Sequence, residues 1–318
     1  MTPSTENNLD SQLVVAGSAC RDVGCAERQR RRIRHGTLAG VGTYIIWGVV
    51  PIFFKQIDTI PAGEVIAHRV VWSLILMALF LFLTQGFAVV KTVLREPRQL
   101  VRIAIASLLV GTNWLIFVYG VNNDRILETS LGYFILPLLN VALGVIVLDE
   151  KLRRLQWLAV AFAALGVTIE AFRVGGLPWI SLTLAGTFGL YGLMRKQLPL
   201  DSANGLFLET ACMTPLALGY LIWLGFNGQS HFGVSTQVDL MLAATGVVTA
   251  VPLLLFAIAA RRLPLSTLGF LQYLAPSISF VVAITLYHEP MDFHRALGFA
   301  MIWAGLVVYS IDMLRARR

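Results

Sequence analysis

Four ionisable side chains lie within or beside long uncharged stretches of the sequence: Glu64, His68, Arg69 and Glu209. Glu64 and His68 are four residues apart, so a helix would place them on one face. A histidine beside a carboxylate can exchange protons near neutral pH. The alternatives are that Glu64 complements the positive end of its helix and that His68 is a hydrogen-bonded structural residue.

Arg69 is the most informative of the four residues. It follows the helix start expected near Pro61 by about 12 Å, at about 1.5 Å per residue. A charge at the centre of the hydrocarbon costs at least about 2.5–3.5 kcal/mol, so such a residue usually faces an internal cavity or a partner. Arg69 is therefore expected to bind an anion or to form a buried ion pair. The alternative is that its side chain snorkels to the outer interface.

Glu209 lies just before another uncharged stretch, in the predicted counterpart of the helix that carries Arg69. The two helices would enter the membrane from opposite faces. We therefore expect an Arg69–Glu209 pair, or two poles of one substrate site. The alternative is that Glu209 caps a cytoplasmic network.

Aromatic side chains within the uncharged stretches are candidates for lining a small-molecule site, because such sites combine aromatic surfaces with a few fixed polar groups. Packing between helices is the alternative for each ring. The predicted substrate path contains Trp47, Trp72 and Tyr191, with Trp114, Tyr133 and Tyr273 as further rings and Asn113, Asn140 and Gln272 as polar groups.

The composition defines the elements that must position these residues. Of the 318 residues, 57% are hydrophobic and 14% are charged, against about 45–50% and about 25% in globular proteins. A soluble protein of this size needs a charged shell that this chain cannot supply, which leaves a polytopic membrane protein. A spanning helix needs about 20 apolar residues, and ten uncharged stretches qualify, two of them with extension into flanking polar residues. They are 36–54, 70–90, 103–123, 129–148, 155–169, 174–194, 210–238, 240–260, 263–287 and 296–311.

The basic residues predict the orientation, because basic loops stay in the cytoplasm. With the N-terminus inside, twenty of the 25 Lys and Arg residues face the cytoplasm, four face outward and Arg69 lies within a span. We therefore predict a multi-pass protein of the cytoplasmic (inner or plasma) membrane with both termini cytoplasmic. Residues 1–33 are expected to form a disordered cytoplasmic tail.

The two halves of the chain, 34–173 and 174–318, share a pattern. Each contains a proline, a glutamate thirteen residues later and a glycine sixteen residues after that. Because each half has five predicted helices, an odd number, the second copy must enter the membrane upside down. Inverted repeats are typical of secondary transporters, whose substrate site lies near the midplane. The repeated residues are Pro137, Glu150 and Gly166 in the first half and Pro276, Glu289 and Gly305 in the second.

These motifs resemble those of a known family. The repeated Pro…Glu…Gly pattern is similar to that of the drug/metabolite transporter superfamily with two EamA-type repeats. Segments 47–55 (WGVVPIFFK), 64–73 (EVIAHRVVWS) and 128–134 (ETSLGYF) are similar to the RarD branch, which is named for a link to chloramphenicol sensitivity. The resemblance implies an all-α membrane protein with ten transmembrane helices in two inverted five-helix repeats.

The expected function is that of a permease, moving a small organic metabolite or drug across the cytoplasmic membrane by alternating access, with proton coupling as an option. The alternative is a non-transporting membrane receptor or scaffold. The expected partners are a small-molecule substrate and the lipid bilayer, without nucleic acid, and a homodimer is left open.

Enzyme function and cofactor or metal binding are not expected. His288-Glu289 is half of an HExxH zinc motif, but the second histidine is missing and Pro290 would disrupt the helix that must hold both ligands. The chain has three cysteines, too few and too scattered to predict a disulfide framework or a metal site.

Overall fold

The computed structural model describes residues 23–84, 86–123, 125–174, 178–286 and 293–315. These residues form α-helices joined by short connections, with one 3-10 turn and no β-strand among them. The prediction of an all-α fold is therefore confirmed. The helices are α1 (Val23–Phe54), α2 (Ala62–Leu83), α3 (Phe87–Val93), α4 (Pro97–Asn122), α5 (Ile126–Val147), α6 (Arg154–Val174), α7 (Trp179–Gln197), α8 (Ser202–Phe226), α9 (Thr236–Ala260), α10 (Leu265–Gln272), α11 (Leu274–Thr285) and α12 (Phe293–Arg315).

Eight segments of the described residues are long and apolar enough to cross a membrane. They lie in α1, α2, α4, α5, α6, α8, α9 and the consecutive pair α10 and α11. Such segments fold as helices because lipid offers no hydrogen-bond partner to an unpaired backbone group. The two further spans expected in α7 and α12 stay a prediction, since the apolar part of α12, Ala296–Asp312, is shorter.

Helix α1 begins at Val23, well before the start expected at residue 36. The prediction of a disordered tail is therefore corrected for residues 23–33, which are helical. Residues 26–32 (AERQRRR) favour this extension because Ala, Glu, Arg and Gln are good helix formers. Residues 1–22 lie outside the described residues.

Helices from the two halves of the chain pack against each other more than against helices of their own half. The most extensive pairs are α6 with α12, α5 with α7, α2 with α8, α2 with α9 and α1 with α9. The core is consequently built jointly by the two halves.

Gly166 and Gly305 hold α6 and α12 in close contact. A β-carbon at position 166 would lie 2.7 Å from the Gly298 carbonyl oxygen, and one at position 305 would lie 2.8 Å from that of Ala159. The contacts are reciprocal, because the spacing from Ala159 to Gly166 equals that from Gly298 to Gly305. Each glycine thus permits the approach of the equivalent helix from the other half.

The two repeated prolines differ in their effect on the helix. Helix α5 continues through Pro137, whereas Pro276 lies in the first turn of α11, directly after the break at Tyr273. Proline is tolerated best in a first turn because it lacks an N–H and clashes with the carbonyl four residues earlier. The repeated residue Glu289 lies outside the described residues.

Charged contacts distinguish the two ends of the bundle. At the end where α1 begins, Arg32 Nη2 donates to the Arg261 carbonyl at 3.2 Å, and we call this the basic end. Burial and the neighbouring Arg195 guanidinium lower the pKa of Arg261. At the opposite end, Arg125 pairs with Glu128. Helix α1 begins and helix α9 ends at the basic end, so these two packed helices run in opposite directions.

Candidate functional site

Arg69, on α2, lies between aromatic rings from two other helices. Its Nε donates to Thr249 Oγ1 on α9 at 2.9 Å. The guanidinium carbon lies 4.7 Å from the ring centroid of Trp114 on α4 and 5.4 Å from that of Phe54 at the end of α1. Tyr133 on α5 is near enough to interact with Arg69 electrostatically. We call these five residues the Arg69 site, and both halves of the chain contribute to it.

The Arg69 site is partly exposed and has no negative charge among the described residues. The Arg69 side chain is only partly buried, and Tyr133 is 41% exposed. In the described part of the chain no carboxylate lies within ion-pair distance of Arg69, whose hydrogen bond goes to a neutral hydroxyl. Each cation–π contact contributes about 0.5–2 kcal/mol, which favours the arginine without neutralising its charge.

Glu209, on α8, pairs with Arg195 on α7 and not with Arg69. Glu209 Oε1 lies 3.0 Å from Arg195 Nη1, and Oε2 accepts a hydrogen bond from the Tyr191 hydroxyl at 2.9 Å. Arg195 Nη2 also donates to the Ser202 carbonyl at 3.0 Å. Both charged side chains are buried, at 0% and 2% exposure. The predicted Arg69–Glu209 ion pair is therefore wrong, because Arg195 lies at the same end of the bundle as Glu209 and satisfies its carboxylate.

The start of α8 is shaped to accept the Arg195 guanidinium. Asp201 caps the helix by accepting hydrogen bonds from the Ala203 and Asn204 backbone N–H groups, each at 3.0 Å, which satisfies donors that the first turn leaves free. One turn later, a β-carbon at Gly205 would overlap Arg195 Nη1. A glycine is thus required where the guanidinium lies against the helix backbone.

Trp47 and Tyr191 belong to an aromatic cluster that joins α1, α7 and α9. Trp47 lies 5.7 Å from Phe188, Phe188 lies 5.3 Å from Phe256, and Phe256 lies 6.1 Å from Tyr191, all between ring centroids. Tyr44 adds a fifth ring 5.7 Å from Trp47. Because the Tyr191 hydroxyl also binds Glu209, this cluster and the Arg195–Glu209 pair form one continuous layer towards the basic end, in which only Trp47 is partly exposed.

Glu64 binds the connection between α8 and α9. Its Oε1 accepts a hydrogen bond from the His231 backbone N–H at 2.7 Å and from Ser230 Oγ at 3.3 Å, and its Oε2 lies 2.8 Å from His231 Nδ1. His68 instead stacks on Phe232, with 5.1 Å between centroids, and neither of its ring nitrogens has a hydrogen-bond partner in the described structure. The predicted Glu64–His68 pair is therefore corrected to Glu64–His231, since the chain folds back and covers this face of α2.

Trp72 follows His68 by one turn on the same face of α2. Its ring lies 6.3 Å from Phe232, and its Nε1 has no partner among the described residues. A β-carbon at Gly246 would lie 2.5 Å from Trp72 Cβ, so α2 and α9 are in close contact here. Segment 230–232 thus covers the face formed by Glu64, His68 and Trp72, while Arg69 is directed to the Arg69 site.

Glu150 connects the end of α5 to the start of α10. Its carboxylate accepts hydrogen bonds from the Leu265 N–H at 2.6 Å, the Ser266 N–H at 2.9 Å and the Ser266 hydroxyl at 2.7 Å. Lys196 Nζ lies 4.0 Å away. A carboxylate at a helix N-terminus satisfies free N–H groups and complements the helix dipole. The contacts of Glu150 are therefore structural, and they join the two halves of the chain.

Sequence reasoning missed Arg195, His231 and Thr249. In the sequence Arg195 counts as one of the loop charges, although its spacing of four from Tyr191 places both on one face of a helix. His231 lies in a loop and Thr249 in an apolar helix. Neither gives a sequence signal, because their partners Glu64 and Arg69 are far away in the chain.

Comparison with known proteins identifies the class. The model of the EamA-like transporter family matches residues 34–170 and 176–311. RarD of Escherichia coli is 41% identical over 289 residues, which cover 91% of this chain and 98% of that protein. An uncharacterized transporter of Vibrio cholerae is 46% identical over 284 residues, covering 89% and 94% of the two chains.

More distant matches also extend over most of the chain. The chloramphenicol-sensitive protein RarD of Pseudomonas aeruginosa is 29% identical over 89% of this chain and 96% of its own. One solved crystal structure, 19% identical, superposes with a TM-score of 0.67 over 89% of this chain and 99% of the other, which shows a shared fold.

These findings define a multi-pass membrane protein of a transporter class. The chain belongs to the EamA-like transporter family, and relatives named RarD are among its matches. The resemblance seen in the sequence is confirmed. The relatives are named as transporters, in agreement with the expectation that the chain is not an enzyme.

Proposed function

We propose that this chain is a permease that moves a small organic metabolite or drug across the cytoplasmic membrane by alternating access. The observation that carries the mechanism is the reciprocal contact of Gly166 and Gly305, because it supports an approximate twofold relation between the two halves. The double match of the family model, over 34–170 and 176–311, supports two repeats. Inverted repeats allow one architecture to open to either side in turn.

The direction of equivalent helices supports the inversion. Helix α1 begins at the basic end and finishes at Phe54, near the opposite end. Its counterpart α7 begins at Trp179, whose ring lies 5.5 Å from the Arg125 guanidinium at the opposite end, and finishes beside Arg195 at the basic end. With α7 and α12 as the remaining spans, the proposed arrangement has ten transmembrane helices in two inverted repeats.

The two ends differ in how they are closed. Towards the basic end, the Arg195–Glu209 pair and the aromatic cluster form a layer in which only Trp47 is partly exposed. Tyr133, in the half nearer the opposite end, is exposed. Because basic loops stay in the cytoplasm, we assign the basic end to the cytoplasm. This asymmetry supports a state whose central site is reached from outside, and a receptor or scaffold would not need it.

Reciprocal cysteine labelling tests alternating access without a known substrate. In a chain whose three cysteines are replaced, Tyr133→Cys reports on the outer side and Ala260→Cys, fully buried at the basic end, reports on the inner side. A membrane-impermeant maleimide is applied to cells and to inverted vesicles. We expect Tyr133→Cys to be labelled from outside and Ala260→Cys to be protected.

Weakening the inner closure should reverse this pattern. Glu209→Gln removes the charge that holds Arg195, so labelling of Ala260→Cys should rise several-fold while labelling of Tyr133→Cys falls. The control is Gly219→Ala on the same helix, where an added β-carbon meets nothing within 4 Å. Parallel changes at the two reporters, or none at either, would contradict alternating access.

A further inference from the structure

Two arginines of the described residues lie inside the helix bundle, and the groups that surround their guanidinium groups differ. Arg195 is neutralised by Glu209, and its Nη2 donates to a backbone carbonyl. Arg69 has aromatic rings and one hydroxyl around it, and no carboxylate of the described residues pairs with it. The fold therefore supplies a counter-charge for one arginine and leaves the other cationic and unneutralised.

The hydrogen-bonding groups of Arg69 are also incompletely used. A guanidinium has five N–H donors in a planar fork. The Nε–H of Arg69 is bound to Thr249, and no described residue accepts from its two terminal nitrogens. These nitrogens are not among the buried atoms that lack a partner, unlike Nε of Arg195. They are therefore not fully buried, and a ligand anion that reached them would satisfy both the donors and the charge.

The chemistry around Arg69 limits which anion would fit. Two parallel N–H donors match the geometry of a carboxylate or a phosphate. One guanidinium neutralises one negative charge, so a phosphate dianion would bring an uncompensated charge into surroundings that solvate it poorly. The faces of Trp114 and Phe54, 4.7 Å and 5.4 Å from the guanidinium carbon, offer apolar surface beside the charge. A monoanion with an apolar body fits both features.

We propose that Arg69 binds the carboxylate of a small monoanionic organic acid whose apolar or aromatic body lies against Trp114 and Phe54. This inference rests on the proposed permease function and names its substrate class. The phenol of Tyr133 completes the accessible side of the site.

Equilibrium dialysis with radiolabelled benzoate, on the purified full chain in lipid nanodiscs, measures binding directly. We expect saturable binding that unlabelled hexanoate displaces. The neutral isostere benzamide and the dianion phenyl phosphate should each compete at least about tenfold more weakly, as expected from the loss of a charge-assisted hydrogen bond or the addition of an unpaired charge. Absence of saturable benzoate and hexanoate binding, or equal competition by benzamide, overturns the proposal.

Variants assign the binding to the Arg69 site. Arg69→Gln should weaken benzoate binding at least about tenfold, whereas Arg95→Gln, at an exposed turn, should leave it unchanged. Trp114→Leu keeps the charge and should weaken benzoate several-fold more than acetate, which has no apolar body. Trp114→Leu therefore tests the proposed binding site even if Arg69→Gln does not fold. Unchanged benzoate affinity in either folded variant overturns the proposal.

The failure of this inference is distinguishable from failure of the permease function. Reciprocal labelling of Tyr133→Cys and Ala260→Cys needs no substrate. Reciprocal labelling without benzoate or hexanoate binding would reject the carboxylate and retain the permease. Uptake of chloramphenicol, an uncharged compound, with full activity in Arg69→Gln would do the same.

Discussion

Glu209 Oε1 lies 3.0 Å from Arg195 Nη1, and this buried pair occupies the role that the sequence predicts for Arg69 and Glu209. The pairing of Glu209 with Arg195, instead of with Arg69, has two consequences. The carboxylate joins α7 and α8 through Arg195 and Tyr191. Arg69 is left with a hydroxyl and aromatic rings, which makes it the cation available to a ligand.

We predict that Arg195 and Glu209 are strongly coupled in stability. Removing one partner of a buried ion pair leaves an uncompensated charge and costs about 3–5 kcal/mol. Arg195→Met and Glu209→Leu should each lower the unfolding temperature strongly, and the double variant should be more stable than the sum of the single effects implies. The measurement is the loss of the monodisperse chromatographic peak on heating in detergent. A Glu209→Leu protein that unfolds like the unmodified chain would show that the pair is not formed.

We also predict that Gly205→Ala disturbs the same pair without altering a charge. The new methyl group would overlap Arg195 Nη1, so the guanidinium must move away from Glu209. Overpacking costs about 1–3 kcal/mol, before any loss from the pair. Gly219→Ala is the matched control on α8, because its β-carbon meets nothing within 4 Å. Equal unfolding temperatures for the two alanine variants would argue against this packing.

The helices could be predicted because lipid leaves few choices to a long apolar segment. Uncharged stretches predict the positions of α4, α5 and α9 closely, whereas the start of α1 lies earlier because helix-forming polar residues extend it. Pro276 lies just beyond a break that divides one predicted span into α10 and α11, while Pro137 does not break α5. Sequence alone does not distinguish the two prolines, since the difference depends on how neighbouring helices satisfy the freed carbonyls.

The partners of the candidate residues were harder to predict than the residues themselves. Glu64, Arg69 and Glu209 all lie in polar or aromatic clusters, as their positions within apolar surroundings suggest. Their partners His231, Thr249 and Arg195 come from the second half of the chain. Spacing rules such as four residues along a helix concern neighbours on one element, and here contacts between helices determine the pairing.

We predict that transport depends on the contact between His231 and Glu64 and not on His68. His231 Nδ1 lies 2.8 Å from the Glu64 carboxylate, whereas neither ring nitrogen of His68 has a hydrogen-bond partner among the described residues. Because the Glu64 contact holds segment 230–232 on α2, loss of the His231 imidazole should change the initial rate of transport several-fold.

The measurement is the initial rate of labelled benzoate uptake. His231→Asn should change this rate several-fold, whereas His68→Asn, which removes a ring that only stacks on Phe232, should leave it near that of the unmodified chain. A change in His68→Asn alone would restore the Glu64–His68 interpretation.

The proposed topology predicts where reporters fused to the chain will lie. A reporter fused after Gln229, in the connection between α8 and α9, should be outside the cell, and reporters after Pro97 and after Arg318 should be inside. The measurement compares an enzyme active only outside the membrane, alkaline phosphatase, with green fluorescent protein, which is fluorescent inside. A reversal at any one position would contradict the inverted-repeat arrangement as well.

The last prediction concerns the equivalence of the two halves. Gly166→Ala and Gly305→Ala place methyl groups against carbonyl oxygens of Gly298 and Ala159, at 2.7 Å and 2.8 Å before relaxation. Backbone cannot yield as a flexible side chain does, so α6 and α12 must separate, and we expect each variant to lose about 1–3 kcal/mol of stability. Because the proposed repeats make the two contacts equivalent, the two losses should be similar. Thermal unfolding in detergent measures them, with Gly186→Ala as control, since its β-carbon meets nothing within 4 Å. A large loss for one glycine and none for the other would mean that the repeats do not share this contact, and the main support for the inverted-repeat mechanism would be lost.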